Sequence, residues 1–168
     1  SRFCSINKTT LSDANYTYII FVNDSANNTA TLSRHALVDT TAPTLTFETP
    51  IPPNATIGVN YIYINVTATD NFNIINSITL EWNGINESLT LNNSISGTSR
   101  FGFVNKTVLS SGSYTARVFV NDSLNNTGAS IRVISIDLTI PTITFNTPSL
   151  VNGSYSQNYV YINITISD

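Results

Sequence analysis

The sequence is short of several residue types, and each shortage removes a class of protein. Of 168 residues only seven are basic and ten are acidic, so the net charge is -3 and charged residues make up 10%, against the roughly 25% that is usual. Because no basic patch is available, we expect neither nucleic acid nor an anionic membrane surface as a partner. Apolar runs stay far below the roughly 18 residues of a membrane-spanning helix, and no membrane span is expected in this segment.

Residues that commonly perform chemistry are also scarce. Cys4 and His35 are the single cysteine and the single histidine. One cysteine excludes a disulfide within the chain, and we expect Cys4 to be a buried or half-buried thiol and His35 to be an ordinary strand residue. Glu81 and Glu87 are the one carboxylate pair that a catalytic interpretation would use, and we interpret them as solvated residues of a turn. We therefore expect that the chain is not an enzyme.

What the sequence does contain is a repeat. The octapeptide VNDSANNT at residues 22–29 returns as VNDSLNNT at residues 120–127, and a shift of 98 positions aligns residues 1–70 with residues 99–168 without a gap. In that alignment 35 of the 70 pairs are identical. The period of 98 residues divides the chain into three parts: the C-terminal part of one repeat (1–38), a complete repeat (39–136) and the N-terminal part of the next (137–168).

Alternation of apolar and polar residues, rather than helical periodicity, runs through each repeat. It predicts seven strands, A to G, in the complete repeat: 44–47, 61–69, 77–82, 88–91, 100–108, 114–121 and 129–136. One face of strand B carries four aliphatic side chains that we expect in the core: Ile62, Ile64, Val66 and Ala68. Strand C turns Trp82 inward, and strand F begins with Tyr114, whose hydroxyl is expected to close the preceding turn. Together these features predict an all-β fold of tandem immunoglobulin-like β-sandwich repeats.

The two outer parts are predicted to be incomplete sandwiches. Residues 1–38 would supply strands E to G, and residues 137–168 would supply strands A and B. Neither part can bury its aliphatic face alone, so we expect both to be completed from outside these residues. Completion would come from further repeats of a longer chain, which we favour, or from strands of a neighbouring copy. The second arrangement would still lack strands C and D.

Three motifs carry a resemblance to a known family. They are the linker DTTAP at residues 39–43, the strand B segment YINVTATD at 63–70, and the strand F segment GSYTARVFVNDSLNNT at 112–127. The chain resembles the tandem immunoglobulin-like repeats of archaeal and bacterial cell-surface proteins, and its richness in Asn and Thr is most similar to archaeal examples. The resemblance implies an extracellular location at the cell surface.

The leading functional hypothesis is a non-enzymatic structural protein. Domains in series, joined by linkers of about four residues that end at a proline, predict a stiff rod in a filament, a stalk or a surface layer (S-layer), with adhesion as a further role. The alternative is a spacer or carbohydrate-binding module of a secreted enzyme. The expected partners are further copies of the same array, end to end and laterally.

N-linked glycans are a second expected partner. Sequons of the form N-x-S/T occur about twice as often as this composition predicts by chance, and five of them recur at the same repeat position in both copies. Asn65 and Asn163 lie on the outward face of strand B. Turn formation by Asn, Ser and Thr is the alternative explanation, and we favour glycosylation. The candidate acceptors are Asn7, Asn15, Asn23, Asn27, Asn54, Asn65, Asn86, Asn92, Asn105, Asn121, Asn125, Asn152 and Asn163.

Three aspartates are expected to converge at one end of the complete sandwich. Asp39 lies in the linker, Asp70 follows strand B and Asp122 follows strand F. Structural Asx turns are the preferred interpretation, and a calcium site formed by the three carboxylates is the alternative. No cofactor is therefore favoured, and we expect chelation to change the stiffness of the array little.

Outward-facing aromatic side chains recur in the repeats. We expect them to form a stripe along the array, and lateral packing between rods is the preferred interpretation. The candidate contact residues are Phe21, Tyr61, Tyr63, Phe119, Tyr159 and Tyr161.

Overall fold

The computed structural model describes residues 3–52, 54–92 and 97–168, and all regular structure within these ranges is β-strand. The all-β prediction is confirmed. None of the described residues lies in a helix with the length and apolar character needed to cross a membrane. The strands are β1 (Ala14–Asn23), β2 (Thr29–Val38), β3 (Thr44–Phe47), β4 (Ala55–Ile57), β5 (Ile62–Thr69), β6 (Ile75–Trp82), β7 (Ile85–Ser88), β8 (Thr90–Asn92), β9 (Ser99–Lys106), β10 (Gly112–Asp122), β11 (Thr127–Ile136), β12 (Thr142–Phe145) and β13 (Ile164–Ser167).

Residues 39–136 form a sandwich of two sheets. The first sheet has the strand order β3-β5-β9-β8, and the second has the order β4-β11-β10-β6-β7. All neighbouring strands are antiparallel except β4, which runs parallel to β11. This arrangement is an immunoglobulin-like β-sandwich.

The core lies between the two sheets, where the alternation places it. The aliphatic face of β5 is buried, since Ile62 is 1% exposed and Ile64 is fully buried. Trp82 lies inward at the end of β6, and its ring stacks on Tyr114 with centroids 5.4 Å apart. The Tyr114 hydroxyl donates to the backbone oxygen of Ser110 at 3.0 Å and closes the turn before β10. The predicted core face and the predicted tyrosine are therefore both confirmed.

Two strands differ from the sequence prediction. The single strand predicted at 88–91 is divided, because β7 pairs with β6 in one sheet and β8 pairs with β9 in the other. Leu89, between them, is 7% exposed and packs into the core where the chain changes sheets. The strand β4 was not predicted. It has three residues, and it forms through parallel pairing with β11, which is distant in the sequence.

The outer parts of the chain repeat the strand pairing of the sandwich. In the β1–β2 hairpin Ala14 lies opposite Val38, and in the β10–β11 hairpin Gly112 lies opposite Ile136, the same register displaced by 98 residues. Strands β12 and β13 likewise pair with the register of β3 and β5. The recurring sequence therefore encodes the same local pairing in each copy.

Strand E, predicted within residues 1–38, is not formed among residues 3–13 of this chain, although residues 101–106, the equivalents of 3–8, belong to β9. Strand β9 pairs with β5 and β8, and residues 1–38 have no counterpart of either. The expectation for Cys4 fails for the same reason, because its thiol is exposed whereas the equivalent Gly102 is buried against Leu89 and Leu91.

The apolar faces of the outer parts are open within this chain. In β1, Ile20 is 53% exposed. In and before β13, Ile162, Ile164 and Ile166 are 67%, 44% and 63% exposed. That these apolar faces are covered by further repeats of a longer chain, or by strands of a neighbouring copy, stays a prediction.

Candidate functional site: the loops around the linker

The repeated octapeptide forms a closed hairpin loop in both copies. In the β10–β11 loop, Asp122 Oδ1 accepts the backbone N–H groups of Leu124 at 2.8 Å and Asn126 at 2.9 Å, and its Oδ2 accepts the Asn126 side-chain amide at 2.8 Å. Asn125 has a φ of 67°, a left-handed conformation that Asn tolerates better than most residues.

The β1–β2 loop has the same contacts. Asp24 accepts hydrogen bonds from the backbone of Ala26 and from the backbone and side chain of Asn28, at 2.8–2.9 Å, and Asn27 has a φ of 65°. The hydrogen bonds from Asn28 are the main reason that the pKa of Asp24 lies below its ordinary value. The octapeptide therefore specifies a loop that its own side chains hold in place.

Asp70 and Asp39 also bind the backbone that follows them. Asp70 Oδ1 accepts the N–H groups of Phe72 at 2.9 Å and Asn73 at 2.7 Å. Asp39 Oδ1 accepts the N–H of Thr41 at 3.0 Å. Asp39, Asp70 and Asp122 thus each form an Asx-type turn with one carboxylate oxygen.

Two asparagines of the sandwich attach its loops to the linker. The Asn126 side chain donates to the backbone oxygen of Asp39 at 3.2 Å, and the Asn73 side chain donates to Asp39 Oδ2. Ser123 Oγ in turn donates to Asn73 Oδ1 at 3.3 Å. This role of Asn73 and Asn126 could not be predicted from the sequence, because asparagine is too common in the chain to distinguish these two.

The linker is also bound from the side of the preceding hairpin. Asp13 Oδ1 accepts the backbone N–H of Thr40 at 2.9 Å and its hydroxyl at 2.8 Å, while Oδ2 accepts the hydroxyl of Thr41. These hydrogen bonds, with that from the Thr41 side chain first, lower the pKa of Asp13. Sequence reasoning missed Asp13 because the equivalent residue is Ser111, which accepts the N–H of Leu138 in the second linker at 3.0 Å.

The three predicted aspartates come together around this linker. One carboxylate oxygen from each of Asp39, Asp70 and Asp122 lies within 4.8 Å of the others. Asp39 and Asp122 are 6% and 0% exposed, and Asp70 is half-buried. In the second linker the equivalents Asp137 and Asp168 are exposed.

The sequons occupy two kinds of position. Asn65 and Asn163 are half-buried, and their side-chain nitrogens donate to the backbone oxygens of Thr49 and Thr147 at 3.0 Å. Asn121 is also half-buried and accepts the hydroxyl of Ser77. The other candidate acceptors are exposed: Asn7, Asn15, Asn23, Asn27, Asn54, Asn86, Asn92, Asn105, Asn125 and Asn152. The sequon at Asn92 continues into residues 93 and 94, which lie outside the described residues.

The predicted contact aromatics are all exposed, by 37–71%. Tyr61 and Tyr63 meet edge to face with centroids 5.9 Å apart, and Arg117 lies 6.0 Å from the ring of Phe119. The remaining three lie in the outer parts of the chain: Phe21, Tyr159 and Tyr161. Lateral packing through these rings stays a prediction.

The glutamates considered as a catalytic pair have separate partners. Glu81 lies 3.6 Å from the guanidinium of Arg117, and Glu87 is paired with Lys106. Each carboxylate is therefore part of its own ion pair.

Comparisons with known proteins agree with this architecture. A family model described as "Bacterial Ig-like domain (group 3)" matches residues 2–104, which is more than half of the chain. No curated protein matches the chain in sequence. Among solved structures, dimeric latent PorU from Porphyromonas gingivalis is similar with a TM-score of 0.51 at 16% identity, over 83% of this chain and 16% of PorU. A likeness at that identity shows the fold alone.

Two further solved structures are similar at lower scores. An engineered protein gives a TM-score of 0.41 at 14% identity over 60% of this chain and 21% of its own length. The fibronectin(III)-like modules of CbhA from Clostridium thermocellum give 0.40 at 16% identity over 74% of this chain and 63% of that structure. The chain thus spans less than two thirds of each of these structures.

Proposed function

The chain belongs to the bacterial immunoglobulin-like domains of group 3, and from this premise we propose that it is a non-enzymatic spacer segment of an extracellular surface protein. In this proposal the repeats form a tandem array whose domains stand in series as a stalk, a filament or part of a surface layer. The observation that carries the proposal is the linker at residues 39–43, which is hydrogen-bonded on both sides.

A linker of this kind limits bending in two ways. Its length of five residues between β2 and β3 leaves few free dihedral angles, and Pro43 fixes one of them. Asp13 holds Thr40 and Thr41 from the preceding hairpin, while Asn73 and Asn126 hold Asp39 from the following sandwich. The linker therefore transmits the orientation of one domain to the next, which is what a stiff spacer requires.

Backbone ¹⁵N relaxation on the full chain tests this rigidity. We expect the β1–β2 hairpin and the sandwich to share one rotational correlation time in the unmodified chain. Asp13→Ala removes three hydrogen bonds to the linker, so the hairpin of that variant should tumble faster than the sandwich. Asp24→Ala is the matched control, because it also removes three hydrogen bonds from the same hairpin but none to the linker. Independent tumbling in the unmodified chain, or no change in Asp13→Ala, would refute the proposal.

We also propose that glycans provide hydration for this weakly charged surface, at the exposed sequons rather than at those in strand B. Asn105 and the sequon threonine Thr107 both line an open groove beside Tyr61 and Tyr63, where a sugar has room. Asn65 instead uses its side-chain nitrogen in a hydrogen bond to Thr49. A free amide nitrogen is the group to which an N-linked glycan is attached.

Glycopeptide mass spectrometry on protein secreted from a glycosylating host tests this ranking. We expect higher glycan occupancy at Asn7 and Asn105 than at Asn65 and Asn163. Each pair is one sequon position of the repeat, present in both copies, so the comparison is made twice in the same chain. Asn105→Gln should remove one glycan mass, and Asn65→Gln should remove little. Equal or reversed occupancy would contradict the ranking, and bare asparagines throughout would remove the hydration argument.

A further inference from the structure

Three carboxylates around the linker have the spacing of ligands to one ion. The oxygens of Asp39, Asp70 and Asp122 lie within 4.8 Å of one another. Calcium binds oxygen at about 2.3–2.6 Å, so two oxygens on the same ion are at most about 5 Å apart. A point equidistant from the three oxygens therefore lies within a few tenths of an ångström of calcium-binding distance, which a small side-chain adjustment would supply.

None of the three carboxylates is paired with a basic side chain among the described residues. The two ion pairs among the described residues are Lys106 with Glu87 and Arg117 with Glu81, and neither includes Asp39, Asp70 or Asp122. Asp39 is 6% exposed and Asp122 is fully buried. Burying carboxylates close together is costly unless they are paired with a cation or coordinate a metal.

Asp70 supplies a second, independent observation. Its Oδ1 accepts two backbone N–H groups, which fix the direction of the carboxylate. Its Oδ2 is enclosed, with essentially no accessible surface, and has no hydrogen-bond partner within the part of the chain that the structure describes. A buried carboxylate oxygen without a donor indicates a missing ligand. In Asp70, Oδ1 is used by the Asx turn, so Oδ2 is the oxygen left for that ligand. Oδ2 of Asp39 and Oδ2 of Asp122 each accept one side-chain amide, from Asn73 and Asn126, and each oxygen keeps a lone pair for an ion.

We propose that Asp39, Asp70 and Asp122 bind one calcium ion, which joins the linker to both loops of the sandwich. The ligand set contains oxygen alone, which selects a hard cation and excludes a zinc-type site. Three carboxylates on separate loops suit calcium, which accepts irregular coordination, better than magnesium, which demands near-ideal octahedral geometry. The Asx turns preferred in the sequence analysis are present as well, since each carboxylate has two oxygens. The site does not depend on the surface role proposed above.

Calcium titration of the full chain, prepared with EDTA and then freed of it, tests the proposal. Isothermal calorimetry should show saturable binding with one ion per chain, and Tm should rise with calcium concentration. In ¹H–¹⁵N spectra the shifted amides should be those near residues 39–41, 70–73 and 122–126. Magnesium at equal concentration should bind at least tenfold more weakly.

Two isosteric variants distinguish calcium binding at one site from nonspecific attraction of calcium to acidic side chains. Asp70→Asn retains the Oδ1 acceptor of the turn and should stay folded, and we expect its calcium affinity to fall at least tenfold. Asp168→Asn changes the equivalent residue of the incomplete second junction and should bind as the unmodified chain does. If Asp70→Asn fails to fold, Asp122→Asn and the spectra of the unmodified chain still decide the question. No saturable binding below about 10 mM calcium, above the range of weak extracellular sites, or equal losses in Asp70→Asn and Asp168→Asn, would overturn the proposal.

Discussion

Val118 and Ile20 are equivalent residues in two copies of one strand. We predict that truncation to alanine lowers the free energy of unfolding of the sandwich at Val118 and leaves it almost unchanged at Ile20. The two positions differ by 98 residues. Val118 in β10 is fully buried in the sandwich, whereas Ile20 in β1 is 53% exposed. Replacing each by alanine therefore compares the same place in the repeat with and without a facing sheet.

The expected cost follows from the atoms that each substitution removes. Val118→Ala deletes two carbon atoms from the core, which lowers the free energy of unfolding by about 1.6 kcal/mol at about 0.8 kcal/mol per buried methylene. A residual cavity of roughly 40 Å³ adds about 1 kcal/mol. Ile20→Ala should change the stability of the sandwich by less than about 0.5 kcal/mol, because among the described strands β1 pairs with β2 alone.

Urea unfolding monitored by tryptophan fluorescence measures this difference. Trp82 is the single tryptophan and is 9% exposed in the core of the sandwich, so its emission reports that domain and not the β1–β2 hairpin. With a slope of about 1–3 kcal/mol per M for a small domain, Val118→Ala should lower the midpoint by about 1–2.5 M. Equal midpoint shifts in the two variants, or a shift in Val118→Ala within the error of the unmodified chain, would refute the assignment of the core.

Two further predictions concern the contacts of the linker. A Cβ atom at Gly128 would lie 2.2 Å from the backbone oxygen of Pro43, so Gly128→Ala should destabilise the sandwich by about 1–3 kcal/mol in the same assay. Ala30→Gly, at the equivalent position of the first copy, is the control and should leave the stability of the sandwich unchanged. No effect of Gly128→Ala would mean that the linker moves freely. Hydrogen bonds from Thr41 and Thr40 lower the pKa of Asp13 below 3.8, so the stabilising contribution of ionised Asp13 is complete above pH 3.8 and is lost as pH falls through the folded-state pKa. We expect acidification across that range to give the hairpin its own correlation time in ¹⁵N relaxation, and persistence of common tumbling in fully protonated protein would contradict this.

Sequence alternation predicted the strands that carry the core but not the edges of the sheets. Strand β3 has the predicted bounds, because apolar and polar residues alternate there and Pro43 and Pro50 lie on either side. Strand β4 was missed, and β7 and β8 were predicted as one strand, since each has only three or four residues and depends on pairing with a partner strand. Alternation identifies a face of a strand, but it does not say which sheet a short edge strand joins.

Residues 3–13 show the limit of local sequence most directly. Phe3 and NKT at residues 7–9 recur as Phe101 and NKT at residues 105–107, yet residues 101–106 lie in β9 and none of residues 3–13 lies in a strand. The difference lies in the partners, because β9 is held between β5 and β8. Whether such a segment forms a strand therefore depends on the presence of its partner strands as well as on its own residues.

The junction was predictable in outline for a different reason. Asp70 and Asp122 lie where β5 and β10 end, at the same end of the immunoglobulin-like sandwich where the linker with Asp39 enters β3, so topology alone brings the three together. The residues that bind the linker were not predictable, because the contacts of Asn73 and Asn126 depend on side-chain directions within loops. The unpaired oxygen of Asp70 likewise exists only in three dimensions.

The two copies of the octapeptide show how such a junction assembles. The loop closed by Asp24 has the same internal hydrogen bonds as the loop closed by Asp122, although only the second one binds a linker. The loop therefore has the same internal hydrogen bonds with and without a bound linker, so binding a linker does not have to order it. A repeated loop that is ordered in advance lets each added domain form the same junction at low entropic cost, which is the requirement for an array of many identical joints.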